Sequence, residues 1–215
     1  MRKLIFLALI MVQFVLVDAQ NELKFGLQTG ATLSTFKVDV SISNAISATV
    51  PPINEFSKLA NFNAGFWFEK RINSFLALRW EVERSPGGTK AFDVLEERTK
   101  RYKFFYLSTP LLLKLTAFQG KIRHPIQLEI GAAANLFLFD YGEAVTFGNI
   151  NKWHYHTVVG VSKNIDDKWS VSLRYLRDLK SFSTFDTGNV QVNWTNERYA
   201  LVFSRALFSI GKKKR

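Results

Sequence analysis

Eight stretches of this chain alternate apolar and polar residues with a period of two. LKFGLQTGATLS sets the pattern. Leu23, Phe25, Leu27, Ala31 and Leu33 fall on one face; Lys24, Gly26, Gln28, Gly30, Thr32 and Ser34 fall on the other. Such a period belongs to a strand with one oily and one wet face. The pattern recurs at residues 62–68, 76–82, 105–115, 126–138, 153–161, 169–175 and 199–203. Beyond position 20 no run approaches the ~18 apolar residues of a membrane helix. The chain therefore reads as all-β. Its oily faces must meet either a protein core or lipid.

The links between the strands favour lipid. After the first strand comes a long link, 35–60, and then a tight turn at Arg71-Ile72-Asn73. SPGGTKAFDVLEERTK is long, QGKIRHP shorter, DYGEAVTFGNIN long, Asn164-Ile165-Asp166-Asp167 tight and SFSTFDTGNVQVNW long. Outer-membrane barrels have an even strand number, long extracellular loops and short periplasmic turns. The order predicts an eight-stranded antiparallel up-and-down transmembrane β-barrel over residues 20–215, with both termini periplasmic. Lipid offers no hydrogen bonds, so strand eight must pair with strand one. A soluble lipid-binding barrel is the alternative fold. Pro110 leaves the register of its strand open, because proline cannot donate to a ladder.

The start of the chain fits export. Arg2 and Lys3 precede an apolar run at 4–17 broken only by Gln13, and Val17-Asp18-Ala19 offers a small-residue cleavage site. Residues 1–19 read as a secretory signal peptide. The chain contains no cysteine, which excludes disulfides, thiolate nucleophiles and cysteine-based metal sites. The net charge is +11, yet the basic residues are scattered and only the terminal GKKKR forms a cluster. Scattered charge on an exported chain argues against nucleic acid. It points to outer-membrane lipid and lipopolysaccharide as partners.

Two sets of residues follow from the faces. Trp80, Trp153, Tyr155, Trp169, Tyr175 and Tyr199 lie on the oily faces. They are expected to form the aromatic girdles at the barrel rims. Lys24, Glu69, Arg79, Glu81, Lys114, Glu129 and Arg174 lie on the wet faces. The first, second, fifth and sixth of these are expected toward the periplasmic half of the lumen and the others nearer its middle. In a lumen just wide enough for side chains, opposite charges should pair and plug the interior. The Gly, Ala and Ser on the same faces leave room for them.

His154 and His156 suit two chemical readings: metal ligands with Asp140 or Glu143, or a catalytic histidine paired with Ser181 or Ser183 and Asp186. Polar residues of this kind are common at any barrel rim. No catalytic, cofactor or metal role is assigned.

FGLQTGATLS, NFNAGFWFEKRINSFLALRWEVERSPGG, YLSTPLLLKL, LEIGAAANLFL and VVGVSKNIDDKWSVSLRYLRDL together resemble the PorT-like outer-membrane beta-barrel domain family of Gram-negative envelopes. The likeness runs through nearly all of the mature chain in the family's order. It rests on the Gly-bearing first strand, the Tyr-x-x-x-Pro-leucine run at 106–113 and the Arg174-Tyr175 hairpin. The resemblance implies an eight-stranded barrel in the outer membrane, inserted by the barrel-assembly machinery. It implies no single activity, since some members belong to secretion or gliding machinery. Many such barrels end on an aromatic, whereas this chain continues past Phe208; the last-strand assembly signal is then expected at 203–210. The expected role is structural or adhesive, or that of one subunit of an envelope machine acting through its long loops. A small passive pore is the runner-up and a lipid-modifying enzyme the third class.

Overall fold

A computed structural model describes residues 22–42, 56–93, 97–117, 125–142, 149–186 and 190–211. The expected signal peptide and the terminal lysine cluster lie outside these residues. Eleven strands appear in chain order: β1 (Leu23–Ile42), β2 (Phe56–Ser57), β3 (Leu59–Arg71), β4 (Leu76–Asp93), β5 (Arg98–Thr116), β6 (Ile126–Gly142), β7 (Asn149–Ile150), β8 (Trp153–Asn164), β9 (Trp169–Asp178), β10 (Ser183–Asp186) and β11 (Val190–Ile210). Eight of them form a ring in the order β1-β3-β4-β5-β6-β8-β9-β11, and β11 closes onto β1. The closing seam runs antiparallel from Leu23↔Ile210 to Ile42↔Val190. It leaves the ring no free edge, the condition that hydrocarbon imposes on any sheet.

The three short strands sit outside the ring: β2 on β4, and β10 between β11 and β7. They lie in stretches read from the sequence as plain links. The links are shorter than that reading. Residues 35–42, 85–93, 98–100 and 190–194 are strand. β1, β4, β5 and β11 are 20, 18, 19 and 21 residues long. A tilted span needs only about 9–11, so these hairpins continue well past the apolar belt at one rim. Extended segments with mixed composition do not alternate cleanly, which is why period two fades there.

At the other rim the two turns among the described residues are tight, and each is set by one side chain. Asn73 Oδ1 accepts the backbone N–H of Phe75 and Leu76 at 3.0 and 2.9 Å. Asp166 Oδ1 accepts those of Lys168 and Trp169, both at 2.7 Å. Asn and Asp recur in turns for this reason.

The faces are inverted relative to a soluble protein. Among the described residues, buried polar and charged side chains outnumber buried apolar ones, 26 to 15. Leu27, Leu33, Phe66, Leu111, Ile130, Val159, Leu173, Leu201 and Phe203 are exposed on the outside. A soluble monomer does not display so continuous an apolar surface, and lipid is the solvent it fits.

Pro110 faces inward within β5. The β4–β5 ladder runs to Trp80↔Leu111 and resumes at Glu83↔Ser108, so the gap falls opposite the proline. On the β6 side Pro110 keeps register with Ala133. The missing N–H thus breaks one ladder and leaves the strand's parity intact.

Candidate functional site

The lumen is filled in four layers. Nearest the tight-turn rim is a lattice of charge. Arg79 Nε lies 2.6 Å from Glu81 Oε1, and its Nη2 donates to Gln28 Oε1 at 2.7 Å and to Ser204 Oγ at 2.8 Å. Arg174 grips Glu81 with both terminal nitrogens at 2.8 Å and donates from Nε to Glu129 at 2.7 Å. Lys114 Nζ lies 3.1 Å from Glu69 and 3.6 Å from Glu129. Arg79, Glu81, Lys114, Glu129 and Arg174 are each no more than 3% exposed.

β4 and β9 stand opposite each other in the ring. The Arg174–Glu81 fork therefore crosses the barrel rather than following its wall. Two parallel charge-assisted bonds fix direction as well as distance. Glu69, Glu81 and Glu129 each have a cation and each guanidinium several acceptors, which offsets the desolvation of buried charge.

The backbone makes room for this lattice. Trp67 points inward, donates Nε1–H to Leu27 O at 3.1 Å and lies under the Arg79 guanidinium at 4.3 Å. Its ring occupies the space beside Gly26, where a Cβ would meet Trp67 Cζ2 at 2.5 Å. Glycine at 26 is a packing requirement of the lumen.

Above the charges lies a mostly small apolar layer of Leu112, Ala133, Val158, Leu176, Ala200 and Val202. Beyond it, Arg198 donates to Ser85 Oγ at 2.7 Å and contacts His156 Nδ1 at 2.6 Å. Asn135 contacts the same ring nitrogen. At the far end Phe36, Tyr102, Phe104, Tyr106 and Phe182 pack into an aromatic plug. Phe182 lies 4.9 Å from Phe36 and 5.5 Å from Phe104 between ring centroids.

All seven charged residues expected in the lumen are on wet faces, and six of them meet in the lattice. Lys24 does not. It sits one-fifth exposed at the tight-turn mouth, 3.6 Å from Glu22. There it lines an open vestibule of about 560 Å³ with Arg71, Gln127 and Asp166.

Two charged members of the interior, Glu83 and Arg198, are not singled out from the sequence, whereas Gln28 lies inside as its wet-face position predicts. Glu83 and Gln28 belong to the charged layer, with Gln28 Nε2 donating to Glu81 and Glu83 at 2.8 and 3.0 Å. Glu83 shares its face with Arg79 and Glu81, so parity alone could have included it. Arg198 precedes Tyr199, the first residue read into the last strand. Extending that strand by one residue would have placed it inside with Ala200 and Val202.

The aromatics expected at the rims point outward. Tyr155, Tyr175 and Tyr199 lie toward the long-link rim with Trp153, and Trp169 begins its strand at the tight-turn rim. Trp80 lies deeper and stacks on Phe68 at 5.7 Å. Phe68 and Phe208 contact Phe25 at 4.8 and 5.0 Å, an outward phenylalanine cluster the sequence reading did not single out.

The histidines are interior residues. His154 meets Tyr106 edge-on at 4.6 Å, and its Nε2 is 4.0 Å from Asp178 Oδ1. Ser183 is buried, while the side chain of Asp186 is outside the described residues. Among the described residues, no three His, Asp or Glu side chains converge as a metal site.

A family model described as outer membrane protein beta-barrel domain matches residues 18–183. No curated protein sequence matches the chain. Among solved structures, the outer membrane protein OprG from Pseudomonas aeruginosa is 8% identical with a TM-score of 0.51; the match covers 90% of this chain and 99% of that one. Neisserial surface protein A is 13% identical with a TM-score of 0.46, over 84% and 96% of the two chains. At these identities the likeness concerns the fold alone.

Proposed function

Since the chain belongs to the outer membrane protein beta-barrel domain family, we propose that it is an integral outer-membrane barrel with a sealed lumen and no catalytic role. It acts through its long-link end as a structural or adhesive envelope protein, or as one subunit of a secretion or gliding machine. The PorT-like resemblance is what favours the machine. In this reading both termini are periplasmic, the long-link rim faces outward, and the barrel-assembly machinery inserts the chain. Outer-membrane lipid and lipopolysaccharide surround it.

The observation that carries the sealed lumen is the bidentate Arg174–Glu81 pair between opposite strands, both members no more than 3% exposed. Water that wetted a continuous channel would touch them. A small passive pore is the second reading, favoured by the open vestibule at the tight-turn mouth. Outer-membrane fractions run unheated and boiled on a gel should give two mobilities, as a closed barrel does. Purified protein in planar bilayers should then show conductance at background. Unchanged mobility would overturn the membrane barrel; discrete conductance steps would favour the pore.

A further inference from the structure

A cation cluster on the outer wall stands just beyond the aromatic belt at the long-link rim. Arg177 on β9 is level with Glu197 on β11, which is level with Thr35 on β1. Lys37 lies one outward position further along β1. Lys37 Nζ is 2.8 Å from Glu197 Oε1, and Arg177 Nε is 3.7 Å from the same oxygen. Tyr175 donates its hydroxyl to that oxygen at 2.9 Å. A third cation, Lys58, stands over the Tyr199 ring at 5.1 Å, and Tyr199 packs against Tyr175 at 5.2 Å.

Three properties separate this cluster from scattered surface charge. First, one carboxylate draws two cations together. Glu197 is 7% exposed, while the side chains of Lys37 and Arg177 remain 55% and 57% exposed. Their donors stay open on the outward side. Second, Asp39 follows Lys37 on the same face, and three cations still exceed these two carboxylates. Third, the depth is defined. Leu173 and Leu201 below the tyrosines, and Leu33 level with Tyr199, are exposed to lipid, and tyrosines mark the boundary where headgroups begin.

We infer that Lys37, Arg177 and Lys58 form a binding site for a phosphate of lipopolysaccharide, the phosphorylated glycolipid facing the outward rim. This rests on the orientation given under the proposed function. A phosphate oxyanion at this depth accepts charge-assisted hydrogen bonds from the lysine and arginine heads. The acyl chains lie along the leucine surface beneath, and the tyrosine rings fill the step between. Glu197 is the positioning residue that holds two of the cations in register.

The test uses full-length protein refolded in detergent micelles, its closure checked by heat-modifiable migration. It is titrated with deep-rough lipopolysaccharide, the same lipopolysaccharide after dephosphorylation, phosphatidylglycerol and inorganic phosphate, with bound adducts read by native mass spectrometry. Lipopolysaccharide should bind best. The double variant Lys37→Gln/Arg177→Gln should weaken it about tenfold while migration stays heat-modifiable. Lys163→Gln, an exposed lysine on β8 near the opposite rim, should change nothing. The site is overturned if the double variant binds as tightly as the parent, or if dephosphorylated lipopolysaccharide, phosphatidylglycerol or inorganic phosphate binds equally well. A parent that never shows heat-modifiable migration overturns the barrel reading instead.

Discussion

Arg174 shows how much a single side chain can hold in a narrow barrel. It satisfies two carboxylates on two other strands and is itself almost fully buried. Arg174→Ala leaves Glu81 with Arg79 and the Gln28 amide, and Glu129 with Lys114 at 3.6 Å and the Ser172 hydroxyl. Breaking a buried pair by removing one partner costs about 3–5 kcal/mol. Equilibrium urea unfolding of the refolded protein in micelles should register that loss. Arg174→Lys should recover only part of it, because an ammonium cannot form the two-pronged bond to Glu81. A variant within about 0.5 kcal/mol of the parent would mean that the lattice contributes little net stability.

Each strand is read by two solvents, so its alternation survives from sequence to structure. Leu201 lies on β11 between Leu173 and Ala31, facing lipid. Leu201→Arg should destabilise the barrel by about 1–3 kcal/mol, between the midplane and interface costs of a basic residue, since it lies one outward position below Tyr199. Ser204→Arg instead tests the crowded lumen against Arg79, whose Nη2 bonds Ser204. Unfolding in lipid vesicles distinguishes them: only the Leu201 variant should recover as the bilayer thins. Parity placed Lys114, Glu129 and Arg174 on wet faces from sequence alone, because a slip of one residue would reverse every face of a strand. The identity of the pairs was not legible. Whether Arg174 reaches Glu81 or Glu83 depends on the stagger between opposite strands, which local alternation does not encode. The aromatic plug was hidden for another reason. Phe36 and Phe182 sit where period two fades into stretches read as links.

At the scale of the whole barrel, the proposed seal of the lumen has two parts. The charged layer lies toward one end and the plug of Phe36, Phe104 and Phe182 toward the other, with Leu112 and Val158 between. Phe104→Ala/Phe182→Ala opens one end only. Its conductance in planar bilayers should stay at background, and its stability should drop by roughly 3–5 kcal/mol per deleted ring at most. A steady current from this variant would locate the whole seal in the plug.

The seam between β1 and β11 also has a consequence in time. Leu23 pairs with Ile210 across nearly the entire described chain. Contacts between such distant residues make folding slow. Until the last strand arrives, the first keeps an unpaired edge, and such an edge invites pairing with other chains. Closure is therefore expected to come late, and it is the step a rival strand can intercept. The rate at which β11 reaches β1 should govern how much protein matures and how much aggregates.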